Sequence, residues 1–105
     1  MNRHMVMKQM EKMQAELIKL QEELKEKTVE ATSGGGVVKA VANGNQELVG
    51  LEIDPDAIDK DDAEILQDMI VAAVNEALRK AKEMYEEAMA KLYRGFKIPG
   101  MPNMF

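Results

Sequence analysis

Apolar residues recur every three or four positions at the start of this chain and again in its second half, with alternation between. From Asp62 to about Tyr93, the residues Leu66, Ile70, Ala73, Ala77, Ala81, Met84, Ala88 and Leu92 share one helical face. A second stripe, Val71, Val74, Leu78, Tyr85 and Met89, runs beside the first. An ordinary surface helix buries one stripe. Two stripes over the first half predict a helix packed against its own domain and against a second body. For a chain this short that body is read as a second copy, with Ile70, Val71, Val74 and Leu78 as the dimer contacts.

Met10, Met13, Leu17, Leu20 and Leu24 follow the spacing of a heptad seam, so Met5 to Lys27 is predicted as a helix. At about 34 Å this helix outruns any small sheet, and part of it should project or pair with another helix. Its outer end is rich in methionine, which suits either a loosely packed seam or an adaptable binding surface. The period then changes to two. Thr28 to Thr32, Val37 to Ala42 and Leu48 to Ile53 read as three strands, joined by Ser33-Gly34-Gly35-Gly36 and by the Asn43-Gly44 turn. Simple alternation points Val49, Leu51 and Ile53 one way and Leu48, Gly50 and Glu52 the other. Pro55 ends the third strand, and Asp59, Asp61 and Asp62 are placed to cap the long helix. The order is α-β-β-β-α: an α+β domain over residues 1–94 with a three-stranded antiparallel meander. Residues 95–105 read as a flexible Gly/Pro/Met tail.

Composition narrows the function. A chain of 105 residues buries only a modest core alone, which favours oligomers. No cysteine and one histidine remove thiolate chemistry, disulfides and His-based metal clusters. The triple glycine lacks the Lys-Ser/Thr and following helix of a phosphate loop, and the aspartates lack the offsets of a calcium loop. No serine elbow or acid–base pair stands out around Ser33 or His4. The chain reads as a binding protein and not an enzyme, with no cofactor and no small-molecule substrate expected. It carries neither an apolar run long enough to span a bilayer nor a signal peptide's apolar middle, so a cytoplasmic location and no membrane partner are expected.

The net charge of −5 argues at first against nucleic acid, but its distribution changes the picture. Residues 1–27 hold 6 basic and 5 acidic side chains, residues 28–78 hold 2 and 11, and residues 79–105 hold 6 and 3. With the helices antiparallel, Arg3, Lys8 and Lys12 come near Lys91, Arg94 and Lys97. These six are the candidate phosphate contacts, since phosphate binding is mainly electrostatic. Lys19, Arg79, Lys80 and Lys82 rank lower, because acids intersperse or burial claims them. A protein–protein adaptor using the Met-rich helix and the apolar tail is the alternative.

The segments MVMKQMEKMQAELIKLQEEL, GGGVVKAVANGNQEL, LEIDPDAI, IVAAVNEALRKAKE and IPGMPNMF follow one another over nearly the whole chain. Together they resemble the YbaB/EbfC family of small bacterial nucleoid-associated proteins. The resemblance implies an α-β-β-β-α protomer, a tweezer-like homodimer and binding of double-stranded DNA through projecting helices. It also implies a place in the nucleoid and a role in chromosome organisation or gene regulation. Ala40 and Ala42 stand where such proteins often have larger strand residues, so the sheet face should be thinner. Gly50 and Glu52 leave the third strand less positive, which favours the helix ends over the sheet.

Overall fold

The computed structural model describes residues 2–96, so of the expected tail, residues 95–105, all but Gly95 and Phe96 lie outside the described residues. The elements are α1 (Arg3–Glu26), β1 (Thr28–Ser33), β2 (Val38–Asn43), β3 (Leu48–Ile53) and α2 (Ala63–Arg94). Each predicted element is present, with no end moved by more than two residues. The strands form one antiparallel sheet in the order β1-β2-β3. Between β1 and β2, Gly34, Gly35 and Gly36 all take positive φ, which only glycine adopts without strain.

The core lies between α2 and the sheet and is made mostly of alanine. Ala73, Ala77 and Ala81 of α2 and Val38, Ala40 and Ala42 of β2 are fully buried, with Ala31 beside them. Small side chains on both surfaces meet in this layer. Interiors packed at crystal density have no room for added methylenes. Ala77→Leu is therefore expected to cost about 1–3 kcal/mol of stability through overpacking, read as a lower urea midpoint at unchanged slope.

Two contacts fix how α2 lies. Ser33 Oγ donates to the Met69 carbonyl at 2.6 Å, and Lys80 Nζ donates to the Glu30 carbonyl at 2.8 Å. Both place β1 along one flank of α2. At about 100° per residue, Val74, Leu78 and Tyr85 fall on the opposite flank and Val71 further round, above β3. A helix about 10 Å across covers about two strands spaced about 4.8 Å apart. The third strand is left largely uncovered, with Ile53 at its end packed against the core.

The register of β3 corrects the simple alternation. A bulge at Val41/Ala42 pairs Ala42 with Leu48 and Val41 with Gly50, leaving Val49 as the extra residue. Leu48, Leu51 and Ile53 therefore sit opposite Ala42, Ala40 and Val38, on the helix side of the sheet. Leu48 and Leu51 remain 43% and 41% exposed there.

The aspartates cap differently from the expectation as well. Asp54 and Asp59 accept from the amides of Asp56 and Asp61 in two short turns before α2, while Asp62, at the helix start, makes no side-chain cap. Asn2 caps α1 by accepting from the Met5 amide at 2.9 Å.

Candidate nucleic-acid interface

Only the last turns of α1 are anchored. Leu24 is its single buried residue, set against the β2–β3 turn. There the Gly44 amide donates to the carbonyls of Leu24 and Lys27 at 2.8 and 2.9 Å. Asn45 reaches the Gln21 carbonyl from the same turn, and the buried Asn43 holds the turn through the amides of Asn45 and Glu47. From this anchor α1 runs alongside the end of α2 and then beyond it.

The two helices enclose an open cleft. Glu16, Lys19, Leu20, Glu23, Leu24 and Lys27 line one wall, and Met84, Glu87, Ala88, Lys91, Leu92 and Arg94 the other. The order is antiparallel, so residues 3–15 project past the end of α2 by about 20 Å. The molecule is accordingly elongated, 69 × 23 × 16 Å.

The structure divides the predicted phosphate contacts into two groups. Lys91 and Arg94 stand at the mouth of the cleft, level with Glu16 and Lys19. Arg3, Lys8 and Lys12 stand further out on the projecting part of α1, all exposed. Lys97 lies outside the described residues. None of the ion pairs among the described residues involves Arg3, Lys8, Lys12, Lys91 or Arg94. Arg94 only bonds back to the Ala90 carbonyl of its own helix.

The other basic residues are mostly claimed. Arg79 bonds to both Glu76 and Glu83, which raises its pKa further and lowers that of Glu76. Lys82 pairs with Glu86, and Lys80 is tied to β1. Lys39 sits between Glu30 and Glu52 across all three strands, and their charges raise its pKa. The outer sheet face thus offers one cation between two carboxylates, a poor surface for phosphate. Lys19, ranked low on sequence, is exposed at the mouth of the cleft and enters no ion pair among the described residues.

Two apolar surfaces are also open. One is the notch formed by the β3 side of α2 and the inner face of β3, where Val71 is 57% exposed. Of the predicted dimer contacts, Ile70, Val74 and Leu78 are half-buried against the core and Val71 is outermost. The other surface is the Met7, Met10, Met13 and Leu17 side of α1. Among the described residues, no helix is long and apolar enough to cross a membrane.

Comparison with known proteins agrees with this architecture. Residues 1–96 match the family model described as the YbaB/EbfC DNA-binding family. A nucleoid-associated protein of Thermoanaerobacter pseudethanolicus is 59% identical over 96 residues, covering 91% of this chain and 86% of the relative. One from Pelotomaculum thermopropionicum is 55% identical over 100 residues, covering 95% of each. Among solved structures, an uncharacterized protein of Helicobacter pylori superposes with a TM-score of 0.80 at 27% identity, over 89% of this chain and 98% of that one.

Proposed function

The chain belongs to the YbaB/EbfC DNA-binding family, and from that premise we propose that it is a nucleoid-associated protein that binds double-stranded DNA as a homodimer. It does so mainly through phosphate contacts at its helix ends, with a role in chromosome organisation or gene regulation. The observation that carries this reading is the state of the basic side chains. Those on the sheet and the middle of α2 are neutralised by carboxylates or tied to another element's backbone, while Lys8, Lys12, Lys91 and Arg94 are exposed and, among the described residues, in no ion pair, Arg94 bonding only to the Ala90 carbonyl of its own helix. Unpaired lysine and arginine can neutralise phosphates and release their counterions. The acids Asp54, Asp56, Asp59, Asp61 and Asp62 fall between the sheet and the start of α2, away from the arms, whose own acids include Glu11 and Glu16 of α1 and Glu87 of α2.

The homodimer is supported by the bare notch beside β3. Val74 and Leu78, with Leu48 and Leu51 across from them, form an apolar surface that one helix cannot cover. A second copy related by a two-fold axis would bring the same surface to it. Two pairs of arms would then project from one body.

The test is fluorescence anisotropy of a DNA duplex over a salt series, for the wild type and for the double variant Lys8→Glu/Arg94→Glu. Affinity should fall steeply with salt, and the variant should bind more weakly with a shallower slope. Equal binding by the two would remove phosphate contact from the helix ends.

A second reading is favoured by one feature. Met7 and Met10 are 52% and 60% exposed on the arm, a surface suited to a protein partner. If the wild type fails to bind DNA even at low salt, the adaptor reading takes over.

A further inference from the structure

We propose that DNA lies along the side of α1 and not against its tip. The contact is a single file of Lys8, Lys12 and Lys19, continued across the cleft by Lys91 and Arg94. This rests on the DNA-binding reading above and names the residues of that site. Lys19 is then a phosphate contact, and Arg3 is not.

The geometry of α1 makes the assignment. At about 100° per residue, Lys8, Lys12 and Lys19 fall within about 40° of one another around the helix axis. Their heights differ by about 6 Å and then about 10 Å, a row of about 16 Å. One strand of duplex DNA rises about 3.4 Å per phosphate, so the row runs past four or five phosphates. The flexible stems of three lysines can adapt to that spacing. All three are exposed, and none enters an ion pair among the described residues. Lys19 also lines the cleft whose other wall carries Lys91 and Arg94, so the row meets the end of α2 at that point.

The remaining side chains of α1 set the limits of the track. Glu11 and Glu16 lie about 80° and 60° to either side of the row, and Ala15 fills the gap within it. Past Lys19 come Glu22, Glu23 and Glu26, which close the track toward the sheet. Arg3 points about 160° away, on the same side as Met7, Met10 and Leu17. Lys25 is about 120° away. Interspersed acids hide the row when charge is counted along the chain. Over residues 8–19 the acids and the lysines separate around the helix, and beyond Lys19 the acids follow the lysines along it.

The experiment uses the full chain and a mixed-sequence duplex of about three helical turns, with anisotropy read across a salt series. The variants are Lys8→Gln, Lys19→Gln, Arg3→Gln and Lys25→Gln, each removing one charge per chain from an exposed site. Each lost phosphate contact should make the slope of log affinity against log salt shallower by about 0.9. Lys8→Gln and Lys19→Gln should each weaken binding several-fold, with the slope shallower by about 0.9 for each arm of the dimer that touches the DNA, Lys19→Arg should retain wild-type binding, and Arg3→Gln and Lys25→Gln should match the wild type. If Lys19→Gln binds like the wild type while Lys8→Gln does not, the track is wrong and the DNA-binding reading stands. Equal losses in all four variants would mean that only net charge matters, which also overturns the track. A wild type that does not bind overturns both.

Discussion

Replacing Leu78 with aspartate is expected to convert the proposed homodimer to monomer, with dimer affinity falling on the order of a thousandfold or more. The position is chosen for its place around α2. Ala73, Ala77 and Ala81 face the sheet and are fully buried, so a charge there would unfold the protomer and say nothing about assembly. Ile70 lies about 20° from that buried direction and shares the same ambiguity. Leu78 lies about 100° round, on the flank above β3, half-buried in the single chain. An aspartate there stays solvated in the monomer but must be desolvated in the dimer. Full burial of a leucine is worth about 1.5–3 kcal/mol; about half of that is gained only in the dimer, and an isologous interface counts it twice. At about 1.4 kcal/mol per tenfold, that alone gives about ten- to a hundredfold, and burial of an unpaired carboxylate in each copy supplies the rest. Sedimentation velocity would read the change as a shift from about twice the 11.8 kDa chain mass to once that value. Ile65→Asp is the control, because Ile65 is exposed on the β1 side of α2 and should leave the dimer intact. A Leu78→Asp protein that remains dimeric would place the interface elsewhere.

That notch also shows where the sequence was legible and where it was not. The two stripes of α2 were plain, because helical periodicity places Val74 and Leu78 beside the buried alanines without any knowledge of the sheet. The strand half of the notch was hidden. Alternation assigns Leu48 to the face opposite Leu51, and only the bulge at Val41/Ala42 returns it to the same side. A bulge arises from pairing between two strands, so the pattern of one strand does not announce it. The order of elements was readable from the change of period at Thr28 and from the turn residues. How far α1 overlaps α2 was not readable, because the anchor is a long-range contact between Leu24 and Gly44. The offset decides which basic residues share a site. It places Lys91 and Arg94 beside Lys19, with Lys12 and Lys8 about two and three turns further out.

The same anchor gives the second large effect. Gly44→Ala is expected to cost about 2–4 kcal/mol and to weaken DNA binding without changing any charge. A Cβ at Gly44 would meet Leu24 Cδ2 at 2.7 Å, the Leu24 carbonyl oxygen at 2.8 Å and Leu24 Cβ at 2.9 Å. Two of those atoms belong to the rigid part of α1, so turning the leucine side chain cannot relieve the clash. The helix end must move away from the turn. Moving it uncovers Leu24, worth about 1.5–3 kcal/mol, and stretches the bonds from the Gly44 amide to Leu24 and Lys27, each worth about 0.5–1.5 kcal/mol. Urea unfolding should show the loss, and hydrogen exchange should localise it to α1 and the β2–β3 turn, with the amides of α2 beneath the sheet still protected. Leu24→Ala removes part of the obstruction, so the double variant should be less destabilised than the sum of the singles. Because α1 is held to the sheet almost wholly at this end, its angle to α2 depends on the contact, and so does the spacing of the basic side chains on the two helices. A Gly44→Ala protein within about 0.5 kcal/mol of the wild type, with unchanged exchange in α1, would mean that the arm is set by something other than this close approach.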